Sequence, residues 1–168
     1  MAMDVITAIS GRRSIRSYKH KEMPVEVLEE VLEAARLAPS AANRQAWELV
    51  IVTDRSIREK LVPICKNQQF IGDCSVFLAA VEVPGQKWTV TDLSIMMDHI
   101  TLAAQEKGLG TCWIGAFDRD GINELLGVPA DRSVAVCLTL GYPDEEPSQR
   151  SRKASQELFH WNKYGQRR

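Results

Sequence analysis

The sequence predicts an α+β domain of two or three layers with about four strands. Three observations carry this reading. Segments whose apolar residues recur at helical spacing alternate with short, nearly continuous apolar runs of strand length. Three of those runs are joined through helical segments, which favours crossover connections over a chain of hairpins. The 168 residues, 45% hydrophobic and 26% charged, suffice for one core, so a single domain over residues 1–168 is expected.

The elements follow in order. Val5, Ile6, Ala8 and Ile9 suggest a short helix over Met3–Ile9, ended by Gly11. In "PVEVLEEVLEAARLA", Pro24 takes the first-turn position, where its missing N–H is harmless, and Val27, Leu28, Val31, Leu32 and Ala35 repeat at helical spacing. The turn-rich "PSAANRQA" stops this helix, and "WELVIVT" reads as a buried strand. "DRSIREKLVPIC" is a helix capped by Asp54, "KNQQFIGD" is polar and irregular, and "SVFLAAVEV" is a second strand. A long helix is expected from Thr91 to Gly108, with apolar positions wrapping more than one face. "GTCWIGAF" and "SVAVCLTLGY" are two further strands around the helical "DGINELLG".

Beyond Tyr142 the chain is polar and proline-bearing, then ends in an apolar cluster of Leu158, Phe159, Trp161 and Tyr164. A disordered tail has no need of those aromatics. The residues from Tyr142 to Glu157 extend to about 50 Å at ~3.3 Å each, against a radius of gyration of about 15 Å for a compact chain of this length. The tail can therefore reach a second copy, and with an all-round apolar helix this predicts a homodimer, the alternative being a tail folded back on its own domain.

With 21 basic and 22 acidic residues the net charge is −1, which argues against a nucleic-acid or anionic-membrane partner. No apolar run approaches the roughly 20 residues of a bilayer span, and the start lacks a leader pattern, so a cytoplasmic location is expected. Cys65, Cys74, Cys112 and Cys137 show no metal or redox spacing and read as reduced, buried thiols. His20, His99 and His160 are scattered, so no metal site is expected. Gly108-Leu109-Gly110 follows a helix and lacks the third glycine of a dinucleotide fingerprint.

Against this neutral background, "SGRRSIRSY" places three arginines and two serines within Arg12–Ser17. Arg150, Arg152 and Lys153 form a second basic group in the tail. A phosphate monoester carries nearly two negative charges and three acceptor oxygens, which several guanidinium forks and a hydroxyl suit. Two or three charge-assisted bonds of ~1.5–3 kcal/mol each would contribute roughly 5 kcal/mol, about millimolar affinity from the phosphate alone. Taken alone, the cluster also fits a kinase target or a solvated turn.

"RRSIRSY", "VLEAARLAPSAANRQAWELVIV", "DLSIMMDHITLAAQEKGLGTCWIGAF" and "LGYPDEEPSQRSRK" together resemble, in order and spacing, the FMN-dependent nitroreductase family over nearly the whole chain. The resemblance implies a three-layer α/β/α fold around a central, mostly antiparallel sheet. It also implies a homodimer completed by exchanged tails (142–168), with FMN at the interface. Arg12, Arg13, Ser14 and Arg16 fall where the family places phosphate, ribityl and flavin-edge contacts, and Arg150 and Arg152 match its C-terminal basic pair. Pro39, Ser40, Ala41 and Asn43 match the loop that the partner lays against the flavin. Asn67 and Gln68 resemble the amides that pair with the pyrimidine edge, and backbone groups of Ile114, Gly115 and Ala116 lie where a donor is aimed at flavin N5. No side chain is required as acid or base, since the cofactor carries the hydride.

The implied activity is transfer of a hydride from NADH or NADPH through FMN to a small acceptor such as a nitroaromatic or quinone, with ping-pong kinetics if one face serves both. The family usually has Gln-Pro-Trp where this chain has Gln45-Ala46-Trp47. Only "PGQKWTVTD" separates the second strand from the long helix, where larger relatives insert covering helices, so a more open pocket bordered by Trp88 is expected. The alternatives are a dehalogenase-like or flavin-consuming enzyme of the same fold, a flavin sensor, or, without flavin, a phosphorylated interaction module.

Overall fold

The computed structural model describes residues 3–168. Helix α1 (Val5–Gly11) is capped by Asp4, whose carboxylate accepts from Thr7 N at 3.0 Å. Helix α2 (Val25–Arg36) starts after Pro24, which is the N-cap and not a first-turn residue. A 3₁₀ turn (Ala41–Asn43) leads into β1 (Trp47–Val52). Asp54 caps α3 (Arg55–Ile64), as expected, by accepting from Ser56 N at 2.7 Å. The stretch read as irregular contains a one-turn helix, α4 (Phe70–Asp73), before β2 (Val76–Glu82). Helix α5 runs Thr89–Glu106, starting two residues before the expected Thr91, and no side chain caps it at Trp88. Then come β3 (Gly110–Ile114), α6 (Arg119–Leu126), β4 (Ser133–Gly141) and the short α7 (Ser155–Leu158), which lies in the tail and has no sequence signal beyond Glu157 closing onto Ala154 N.

The sheet order is β1-β2-β4-β3, and every pair is antiparallel. The crossover expectation therefore holds at one place only, where β2 reaches its parallel next-but-one neighbour β3 through α5. Helical segments do replace hairpins between β1 and β2 and between β3 and β4, but they return the chain antiparallel to an adjacent strand.

Alternation along β2 divides the core. Phe77, Ala79 and Val81 pack with Leu61, Ile71 and Ile122 of the α3, α4 and α6 side, together with Cys112, Ile114 and Cys137. Val76, Leu78 and Ala80 face Leu28, Val31 and Ala35 of α2 and Leu93, Met96, Met97 and Ile100 of α5. Helices on both faces make three layers, and they explain why β2 reads as a continuous apolar run. His99 sits on the α5–α2 seam, its Nδ1 3.3 Å from the Ala34 carbonyl oxygen.

The tail does not fold back into this core. Leu158, Phe159, Trp161 and Tyr164 are 52%, 59%, 46% and 91% exposed.

All four cysteines are buried. Burial pushes the Cys65 thiol from 9.0 to about 11 and Cys74 to about 12, and raises Cys112 and Cys137 as well. The folded state thus holds protons that the unfolded state releases above pH 9, so this contribution is intact below pH 9 and is lost as pH rises toward 12. The urea midpoint should fall steadily from pH 8.5 to 10.5; a flat midpoint would show that the thiols ionise freely in the native protein.

Candidate functional site

The basic loop is held by backbone bonds at one end of the sheet. Ile15 N donates to Thr111 O at 2.9 Å, Lys19 N to Tyr142 O at 2.9 Å, and Asp144 N to Ser17 O at 2.9 Å. The loop thus lies between the start of β3 and the exit of β4. Gly110 permits the approach: a Cβ there would stand 2.5 Å from Ile15 Cγ1, closer than any packed pair allows. Tyr18 anchors the far side, buried with its hydroxyl 2.7 Å from Thr139 Oγ1, and burial pushes its phenol well up.

This docking brings Arg12, Arg13, Ser14, Arg16, Arg150 and Arg152 around one cavity of about 310 Å³. Among the described residues, none of the five guanidiniums lies within ion-pair distance of a carboxylate. Arg13 Nη1 donates to the carbonyls of Ser10 and Arg12 at 2.7 and 2.9 Å, and Arg152 Nη1 to those of Arg150 and Ser151. The donor forks of Arg12, Arg16 and Arg150 have no protein acceptor among the described residues. Clustered, unneutralised guanidiniums with hydroxyls beside them have the donor chemistry of a phosphate site.

Sequence reasoning missed Glu145, Pro147, Ser148 and Gln149 on the same cavity wall. Glu145 accepts from the backbone N–H of Arg16, so its carboxylate holds the loop without cancelling a guanidinium. One acid in a proline-bearing tail carries no pattern from which this role is readable.

The other expected contacts lie at the opposite end of the sheet. Ile114 closes β3, and Gly115 and Ala116 follow it exposed, with nothing within 4 Å of a Cβ built at Gly115. Asn67 and Gln68 form the α3–α4 turn, tied to this end because Asp118 N donates to Ile64 O at 2.8 Å. Asn67 is exposed, while Gln68 Nε2 is already used on the Cys65 carbonyl at 2.8 Å, leaving its oxygen as acceptor. The two ends are separated by the five residues of β3, about 16 Å at ~3.3 Å each, so only an extended ligand can touch both.

Pro39, Ser40, Ala41 and Asn43 do not line the arginine cavity. They enter β1, the edge strand opposite β3, about 14 Å away at ~4.8 Å per strand spacing. Ala41 instead lines a separate cavity of about 340 Å³ with Arg44, Gln86, Trp88 and Asp92. Buried Asp92, in the first turn of α5, takes the Ala41 N–H on both carboxylate oxygens at 3.1 Å, and Ser40 Oγ accepts from Gln45 N at 2.9 Å. These bonds hold Ala42, Asn43 and Gln45 at φ 51°, 53° and 52°. Lys66 and Asn67 also have positive φ, both 58°. Left-handed non-glycine backbone costs roughly 1–3 kcal/mol per residue and persists where surrounding bonds enforce it. Five of the six such residues lie in the two loops singled out as cofactor contacts.

An anion that binds this arginine cavity must stabilise the fold by mass action, about 2.7 kcal/mol at a hundredfold excess over Kd. Inorganic phosphate should raise the melting temperature of the flavin-free protein above that in sodium chloride of equal ionic strength, and the double variant Arg12→Gln/Arg150→Gln should abolish the difference. Equal melting temperatures in the two salts would deny the cavity an anion.

The profile described as "Nitroreductase family" matches residues 9–79 and 65–142. A protein of Methanothermobacter thermautotrophicus with the provisional name NADH dehydrogenase/NAD(P)H nitroreductase is 35% identical over 158 residues, covering 88% of this chain and 82% of the relative. The solved NADPH:FMN oxidoreductase of Vibrio harveyi in complex with NAD⁺ superposes with a TM-score of 0.88 at 27% identity, covering 95% of this chain and 77% of the other. The FMN-dependent nitroreductase of Clostridium difficile R20291 does so with a TM-score of 0.83 at 31% identity, covering 95% and 99%. The antiparallel sheet between two helical layers is the fold these structures share, and the chain that carries the arginine loop on it belongs to the nitroreductase family.

Proposed function

We propose that this protein is an FMN-dependent oxidoreductase that takes a hydride from NADH or NADPH and delivers two electrons to a small acceptor such as a nitroaromatic or quinone. The observation that carries the reading is the arginine cavity, where among the described residues no carboxylate lies within ion-pair distance of a guanidinium. Relatives named as NAD(P)H nitroreductase, NADPH:FMN oxidoreductase and FMN-dependent nitroreductase support it.

The donor set fits the phosphate of FMN, and the chain's residues divide accordingly. Arg12, Arg13, Ser14, Arg150 and Arg152 bind the phosphate and the sugar-like chain. Arg16 places a fixed cation where negative charge develops on reduction, which stabilises the reduced state. Asn67 and the free oxygen of Gln68 pair with the pyrimidine edge, which needs both donors and acceptors. The exposed backbone at Gly115 and Ala116 gives close approach without a side chain in the way. Bound flavin supplies the hydride-exchanging centre.

The reading includes a homodimer. Pro39–Asn43 stand at the wrong sheet edge to meet their own arginines, so the same loop of a second copy is assigned to that role. The exposed aromatics of the tail and the exposed Val5, Ile6 and Ile9 of α1 are apolar surface for it to cover. One domain over 1–168 and a cytoplasmic location belong to the same proposal. Among the described residues no helix is long and apolar enough to cross a membrane.

The experiment is the visible spectrum of the purified protein before and after anaerobic NADH, then NADPH. Flavin absorption that bleaches with one donor and returns with a quinone supports the enzyme; bound flavin that stays oxidised with both points to sensing or another reductant. A protein that binds no added FMN would refute the proposal.

A further inference from the structure

A further cavity, beside the exit of β1, belongs to no role described so far. It holds about 550 Å³, within the roughly 300–1,000 Å³ usual for small-molecule sites, and shares no lining residue with the arginine cavity. It lies where β1 leaves and β2 enters the sheet, between His20–Met23, the start of α3 and Gly72–Val76. Ser75 Oγ donates to the Lys21 carbonyl at 2.7 Å and fixes one wall to another.

Arg58 reaches this cavity from α3 and is only 7% exposed. Its Nη1 donates to the Thr53 carbonyl; among the described residues its buried Nε–H has no partner and no carboxylate lies within ion-pair distance of the guanidinium. A buried guanidinium on a cavity wall with no anion beside it is costly, and an anionic group in the cavity would relieve that cost. The other charged groups are more exposed and mixed in sign. Arg55 is engaged by Glu59 at 2.9 Å, Lys21 Nζ stands 3.9 Å from the centre of the Tyr142 ring, and His20 is 3.8 Å from Asp73. Glu22 and Asp73 put two carboxylates at the rim.

A positive floor under a partly acidic rim selects against a dianion and for a molecule carrying both an oxyanion and a donor. We propose that this cavity binds a small monocarboxylate bearing an ammonium or hydroxyl group, such as an amino acid or hydroxy acid. Its carboxylate accepts from the Arg58 guanidinium and its donor group faces Asp73 and Glu22.

The test is calorimetric titration of the flavin-loaded protein with L-serine, L-glutamine, L-arginine, L-lactate and inorganic phosphate. At least one of the first four should bind saturably. Its binding should weaken about tenfold or more in Arg58→Lys, which keeps a cation and a donor for Thr53, and in Asp73→Asn, with FMN affinity unchanged in both. Asp73→Asn decides alone if Arg58→Lys does not fold. The proposal is overturned if none of the four saturates, if binding survives both substitutions, or if phosphate binds in their place.

Discussion

Everything in the candidate site depends on holding like charges together without neutralising them. Guanidiniums repel one another, and the ordinary resolution is a carboxylate beside each. Here backbone hydrogen bonds from Ile15, Lys19 and Asp144 dock the loop and tail on the sheet, so the side chains of Arg12, Arg16 and Arg150 are not consumed in fixing it. Gly110 gives the room, and Glu145 spends its carboxylate on a backbone N–H. The sheet, with a core on both faces, is the rigid base against which that repulsion is held.

The same economy recurs at the far end. The Ser40–Gln45 loop keeps its left-handed residues through Ser40 and Asp92, side chains of the protein itself, while Asn67 points no recorded bond inward. Unspent donors at the two ends of β3 suit an extended ligand. In the homodimer proposed above, the position of the Pro39–Asn43 loop at the opposite sheet edge leaves that wall to a second copy.

Much of this was legible in the sequence because it rests on periodicity and charge. The α2 and α5 patterns, the Asp54 cap and the apolar runs of β1 to β4 follow from local burial. The arginine loop stands out against a net charge of −1. Strand direction was not legible from the residues alone, since a helical connection of the same length can return the chain parallel or antiparallel; only the family resemblance implied the mostly antiparallel sheet that is found. Helix α4 is one turn long and half polar, too short for a period to show. Glu145, Asp92 and Arg58 gain meaning only from distant partners, and single acids and bases in helices and turns carry no spacing to read. The tail's apolar cluster was legible in the sequence, though not its exposure or the single turn of α7 beside it.

The central claim is that the arginine cavity reads the phosphate of FMN. The most direct measurement compares the dissociation constants of FMN and riboflavin, which differ by that phosphate, in the wild type and in Arg12→Gln/Arg150→Gln. Charge-assisted bonds worth roughly 5 kcal/mol in total predict FMN tighter by roughly 10³-fold or more in the wild type, with most of that preference lost in the variant. Equal affinity for the two flavins in the wild type would contradict the account.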